Sequence, residues 1–439
     1  MALTRALSPT GAAQREKPRA GERTRTSAPA PSPPLFRQRN FSALWWGQII
    51  SLLGERLTYL ALLGLLSEHT HGFRVTGSSW LLSLLANVML APVLILAPFA
   101  GAWIDHWNLK RVVVLSDTLR ALIVLLIPVF YALTGQLLPV FGLLFLLFTC
   151  GVFFLPAKSS LTPEIVPAPQ LLAANTWLTA AGLIATAAGS LGGGWLIDHW
   201  GWSPVLYLNA ATYAVSVIAL LLIRYAPQAR PSLRGATTLA GYAQQLREGW
   251  RVVQTVPALG LALTALGAVW LAGGFLHVAG NLHIQRAASV PGMERLGMLM
   301  AVLGVGSGLS AWWINTGGRR VPRSRMIPGA LLVAGAGLLL FAVSTAFAVF
   351  ALAGLLMGLA ATPAIMISET MLQESTTSGL RGRVFGTRDF LMRSVLLVSV
   401  SLAGWASRTF GPQPALFMCA ALVIGTGAVA LAAARRPGR

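Results

Sequence analysis

Twelve apolar stretches, each about as long as a helix must be to cross a bilayer, divide this chain at nearly regular intervals. A hydrocarbon core of roughly 30 Å takes about 20 apolar residues as an α-helix. Lipid offers backbone N–H and C=O groups no partner, so such stretches satisfy their hydrogen bonds internally, as helices. The spans run 42–67, 78–101, 112–134, 136–156, 171–197, 202–223, 255–281, 293–315, 326–344, 346–369, 384–407 and 412–434. With 55% hydrophobic and 10% charged residues, the 439-residue chain lacks the charge of a soluble protein. The predicted fold class is all-α integral membrane, with twelve transmembrane helices.

Charge placement sets the orientation, because loops facing the cytoplasm carry the excess of Lys and Arg. With the N-terminus inside, 26 of the 33 basic residues fall on that side. Only Arg74, Arg286, Arg408 and, at the very start of span 8, Arg295 fall opposite; Arg388, at the start of span 11, is counted with the cytoplasmic loop before it, and Arg56, Arg120 and Arg393 lie deeper within predicted spans. Twelve helices with both termini cytoplasmic is the consistent solution, in a multi-pass cell (inner) membrane protein.

The net charge of +20 is scattered between apolar runs rather than gathered on a soluble domain, so no nucleic-acid partner is expected. Residues 1–40 are rich in Arg, Pro, Ser and Ala and lack the apolar core of a signal peptide. They read as a disordered basic cytoplasmic tail; an organellar transit peptide is the alternative, weakened by Glu16, Glu22 and the prolines. Cys150 and Cys419 sit far apart in apolar runs and read as buried thiols, not a disulfide.

The longest connection, 225–254, carries Arg230, Arg234, Arg247 and Arg251 and separates two sets of six spans. The expected organisation is therefore an N-terminal bundle at 41–224, a cytoplasmic linker at 225–254, a C-terminal bundle at 255–434 and a short tail at 435–439. Within the linker, Leu239 to Val253 reads either as an amphipathic surface helix or as a solvated loop. The halves echo one another: GAWIDHWNLKR at 101–111 follows span 2, and AWWINTGGRR at 311–320 follows span 8. Each sets a polar residue, Asp105 or Asn315, ahead of a basic pair, Lys110 and Arg111 or Arg319 and Arg320. A second echo, GWLIDHWG at 194–201 after span 5, matches the inverted three-helix repeats of many transporters, or is chance.

In the loop after span 2, Gly101, Asp105 and Lys110 match the signature G-x-x-x-D-R-x-G-R-R, whereas His106, Asn108 and Leu109 depart from it. On these residues the chain resembles the major facilitator superfamily from Phe41 to about Ala434. Three further stretches resemble the subgroup of macrolide-efflux proteins and the enterobactin exporter. They are WWGQIISLLGERLTYLAL in span 1, PAKSSLTPEIVPAPQLLAAN at 156–175 before span 5, and LQESTTSGLRGRVFGTRD at 372–389 between spans 10 and 11. The run AGSLGGGWL at 188–196 resembles the span 5 motif associated with exporters. The resemblance implies two pseudo-symmetric six-helix bundles that expose a central site to each side in turn, with apolar and aromatic residues of spans 1, 4, 7 and 10 lining the cavity.

Glu55 is the proton-coupling candidate, since it sits about 13 residues into span 1, near the bilayer midplane at 1.5 Å per residue. An ionised carboxylate there is costly and must face a water-filled cavity or a cationic partner; the alternative role is a fixed pair with Arg56 or with a cation on another helix. Asp117 and Arg120, three apart, share a face of span 3 and read as a structural latch or as a substrate ligand. Arg381, Arg383, Arg388 and Asp389 surround the start of span 11. Either they meet Asp105 in a cytoplasmic gate, as the resemblance implies, or they are positive-inside anchors. Gly182, Gly189, Gly192, Gly193 and Gly194 allow another helix to approach span 5, for packing or for gating. His277, Asn281 and His283 read as polar lining rather than a metal site, which needs more ligands.

No phosphate-binding loop, Ser-His-Asp set or paired-Cys motif is found, so neither an enzyme nor a cofactor is expected. The expected function is secondary active export of amphipathic, apolar or cationic drug-like molecules, by alternating access and proton-coupled antiport in a monomer. Uptake or lysophospholipid-type transport, and a non-transporting sensor or scaffold, are the alternatives.

Overall fold

The computed structural model describes residues 33–72, 78–104, 107–226, 239–287, 292–316, 322–376 and 378–435. Most of the expected tail, together with Asp105, Arg319 and Arg320, lies outside the described residues. The helices are α1 Arg39–His69, α2 Ser78–Ile104, α3 Leu109–Thr134, α4 Leu137–Ile165, α5 Leu171–Trp200, α6 Trp202–Leu221, α7 Leu239–Thr255 and α8 Pro257–Phe275. A π turn, Leu276–Gly280, joins α8 to α9, Asn281–Arg286. Then follow α10 Met293–Thr316, α11 Arg323–Val343, α12 Phe347–Glu374, α13 Ser378–Thr409 and α14 Pro412–Arg435. Among the described residues twelve helices are long and apolar enough to cross a membrane, α8 and α9 forming one of them and α7 none. The chain is an all-helical, multi-pass membrane protein.

Two boundaries depart from the sequence reading. Pro156 was expected to end span 4 and Pro163 to lie beyond it, yet both are inside α4, which continues to Ile165. Each proline removes one backbone donor but need not end a helix when neighbouring helices support it, as in membrane bundles. The connector at 372–389 is likewise mostly helical, shared between α12 and α13. Of the two readings of 239–253 the helix is observed, as α7. It lies against α13, where Gly249 approaches the Arg383 carbonyl, Thr387 Oγ1 donates to Leu246 O at 3.3 Å and Glu248 pairs with Arg383 at 2.9 Å.

The packing repeats. Helix α1 contacts α5 and α6, α3 contacts α4 and α6, and α2 contacts α4. Six spans later α8 contacts α13 and α14, α11 contacts α12 and α14, and α10 contacts α12. Two symmetric pairs, α5 with α10 and α2 with α13, join the sets.

The end where α1 begins, bearing Arg39, Lys110, Arg111 and Arg224, is here termed the basic end. There the apolar core is divided: Phe41, Leu44, Val113, Ala157 and Leu161 form one cluster, while Leu259, Leu266, Leu372 and Val384 form another. At the far end one cluster is shared, since Leu62, Leu82 and Ile197 pack in the same core as Phe275, Leu296 and Ala403. Among the described residues, the core that the two sets share lies at the far end.

Candidate functional site

Arg120 is the centre of the site. Its guanidinium is buried and lies 3.3 Å from Glu55 Oε1 on α1 and 3.3 Å from Asp117 Oδ1 one turn back on α3. Asp117 is fully buried, and its other oxygen accepts from Ser216 Oγ of α6 at 2.7 Å. A buried carboxylate must be paired or hydrogen-bonded, and this one is both. The Arg120 guanidinium also lies over Phe154 at 4.7 Å and near the Tyr213 ring at 5.8 Å. Gly151 of α4 makes room for it, because a Cβ there would stand 2.8 Å from Arg120 Nη2.

The cluster forms one wall of a cavity of about 850 Å³. This runs from the level of Tyr59 and Met89 towards Ala100 and Ser159, that is, towards the basic end. Met89, Val93, Leu147, Phe148, Leu155 and Leu178 give it an apolar surface. Its charged lining is Glu55, Arg56, Arg120, Lys158 and Arg393, the last from α13. Gln48 also lines it, with a buried Oε1 that accepts no hydrogen bond among the described residues.

Small residues and polar clamps close the far end. Gly194 and Gly297 bring α5 and α10 together so tightly that a Cβ on either would stand 2.3 Å or less from a carbonyl oxygen of the other helix. Between α2 and α13, Ser83 Oγ donates to Val400 O at 2.9 Å, and Asn87 Nδ2 to Ser401 Oγ at 2.9 Å. Tyr59 OH is 2.9 Å from His277 Nδ1, which ties the inner end of the cavity wall to the π turn.

A cavity walled by the first six-helix set and reached by Arg393 of the second, in a chain of two like-packed sets, is the kind of architecture found in membrane transporters. The model of the Major Facilitator Superfamily matches residues 44–397. The chain belongs to the Major Facilitator Superfamily.

Members of the superfamily similar to it include the MFS-type transporter YfiS of Bacillus subtilis, 28% identical and covering 91% of this chain and 94% of the relative. The multidrug efflux pump Tap of Mycolicibacterium fortuitum is 24% identical over 80% of this chain and 85% of its own length. The lysophospholipid transporter LplT of Serratia proteamaculans is 27% identical over 76% and 80%. A crystal structure of a POT family transporter in complex with 5-aminolevulinic acid superposes with a TM-score of 0.68 at 10% identity, covering 90% of this chain and 96% of that one, which shows a common fold. Family and relatives are transporters, not enzymes.

Within this superfamily member, the sequence-predicted residues separate into three groups. Glu55, Asp117 and Arg120 come together, so the latch expected on span 3 and the carboxylate of span 1 are one cluster; the partner of Glu55 is Arg120, not the adjacent Arg56. Lys110 Nζ donates to Leu221 O at 2.9 Å and Ile223 O at 2.6 Å, capping the end of α6. The Arg111 N–H donates to Asn108 Oδ1 at the start of α3, and Gly101 lies in α2. Arg383 pairs with Glu248 of α7, and Arg388 with Glu369 of α12 and with Asp389, all on the second half of the chain. Arg381 lies in α13.

Of the span 5 glycines, Gly189 and Gly193 lie against α1 and Gly194 against α10; Gly182 makes ordinary contact with Leu52, and Gly192 meets nothing within 4 Å. His277 and Asn281 do not line the cavity, and His283 Nε2 is 3.0 Å from Ser344 O. Among the described residues no three His, Cys, Asp or Glu side chains gather as a metal site.

Beside the apolar and aromatic lining that the resemblance implies, the cavity carries Arg56, Arg120, Lys158 and Arg393. Lys158 was counted as a loop residue because Pro156 seemed to end span 4. Arg393 stood within a span with no role given, and Arg56 only as a possible partner of Glu55. Their signal was in the sequence nonetheless, since a cation inside a membrane span must face water or a partner.

Proposed function

We propose that this protein is a secondary active exporter of small amphipathic molecules, exchanging them for protons by alternating access. The observation that carries this reading is the single cavity holding Glu55 in an ion pair, reaching towards the basic end and sealed at the other. The basic end is taken as cytoplasmic by the charge rule, so the closed seal corresponds to a carrier loading from inside the cell, in the inner membrane and as a monomer. Similarity to the efflux pump Tap supports the outward direction. Glu55, with its side chain 42% exposed, is the carboxylate placed to take up a proton. Protonation removes its charge, loosens its hold on Arg120 and so couples the proton to the wall of the cavity.

A second reading, inward movement of a lysophospholipid, is favoured by the similarity to LplT. The test uses proteoliposomes with an imposed pH gradient and a fluorescent amphiphile. Gradient-driven flux that is lost in Glu55→Gln, while gradient-free exchange of the amphiphile persists, supports proton coupling. Flux in Glu55→Gln that follows the gradient as in the wild type would refute it.

A further inference from the structure

The cavity holds four basic side chains. Arg120 is matched by Glu55 and Asp117. The side chains of Arg56, Lys158 and Arg393 make no hydrogen bond or ion pair among the described residues, although all three line the same space. Lys158 is half-buried on α4 and within electrostatic reach of Glu55, Arg120 and Asp117. With both carboxylates ionised the lining keeps two positive charges in excess, and protonation of Glu55 raises the excess to three. Charges drawn away from bulk water and left unpaired are costly, and a ligand of opposite sign offsets that cost.

Two guanidinium groups present planar forks that suit carboxylate or phosphate oxygens, and Lys158 adds a point charge. The apolar part of the lining is Met89, Val93, Phe148, Leu155 and Leu178. Together these features specify both ends of a ligand. We infer that the transported molecule is an amphipathic anion: a carboxylate or phosphate headgroup held by Arg56, Lys158 and Arg393, with an apolar body against α2 and α4. This departs from the apolar or cationic drug-like molecule expected from sequence and keeps its amphipathic character. It deepens the transport reading above and rests on it, in that the cavity is taken as the substrate's path.

The test measures binding without flux, so failure of this inference and failure of the transport reading are separately visible. Full-length protein in phosphatidylcholine nanodiscs is titrated by calorimetry with decyl phosphate, decanoate, decyltrimethylammonium and inorganic phosphate, against empty nanodiscs for partitioning. Decyl phosphate and decanoate should bind at least about tenfold more tightly than decyltrimethylammonium, and Arg56→Gln, Lys158→Gln and Arg393→Gln should each weaken the anions by about tenfold. The wild-type comparison stands even where a variant fails to fold. Equal or tighter binding of the cation, or anion affinity unchanged in all three variants, would overturn the assignment. Inorganic phosphate binding as tightly as decyl phosphate would overturn its amphipathic part.

Discussion

Asp198, in the last turns of α5, caps the first turn of α10 by accepting the backbone N–H of Met293 at 2.8 Å, and its second oxygen takes that of Glu294 at 2.7 Å. Helix N-termini carry unsatisfied donors and partial positive charge, so a carboxylate there is held by both. Here cap and helix belong to opposite halves of the carrier. Asp198→Asn keeps one acceptor but loses the charge, at a cost of about 1 kcal/mol. With Cys150 and Cys419 replaced, a Ser190→Cys reporter at the far end should then react with a thiol probe about fivefold faster, as that cost converts to population.

Gly194→Ala and Gly192→Ala, two positions apart in sequence, should behave differently. The first sets a Cβ 2.3 Å from Met293 O, backbone that cannot turn aside, whereas the second meets nothing within 4 Å. Overpacking of this kind costs roughly 1–3 kcal/mol. Gly194→Ala should raise labelling of the same reporter, and Gly192→Ala should leave it near the wild-type rate.

Arg120→Met leaves Asp117 buried with Ser216 as its remaining partner. Removing one member of a buried ion pair costs about 3–5 kcal/mol, most of it from the stranded charge. Thermal unfolding in detergent should show a large drop in midpoint for Arg120→Met, partly restored by adding Asp117→Asn. A midpoint unchanged in the single variant would mean that the cluster does not hold α1, α3 and α6 together.

Arg383→Ala should change little. Its pair with Glu248 is partly exposed on both sides, 46% and 31%, and such pairs contribute below about 1 kcal/mol. The unfolding midpoint and the salt dependence of transport should both stay close to wild type.

The spans were legible because lipid imposes one length on every helix, and Asp117 with Arg120 because a three-residue spacing puts both on one face. Lys158 was not legible as a cavity residue, because Pro156 reads locally as a helix end and only the packing around α4 carries the helix past it. Span 7 was read to 281, past the π turn, and the last turn to Arg286 was missed because His283, Gln285 and Arg286 lack the apolar character of a span. That Arg120 serves Glu55 as well as Asp117 depends on how α1 lies against α3, which local spacing does not encode.

Helix α13 touches both events that a carrier must coordinate. Arg393 reaches the cavity from it, and Gly404, farther along the same rod, presses on Ser83 of α2, where a Cβ would meet Ser83 Oγ at 1.9 Å. Eleven residues of helix make an arm of roughly 17 Å, so each degree of tilt about Ser83 swings Arg393 by about 0.3 Å. A headgroup pulling on that arginine acts with mechanical advantage on a fulcrum at the opposite face of the membrane.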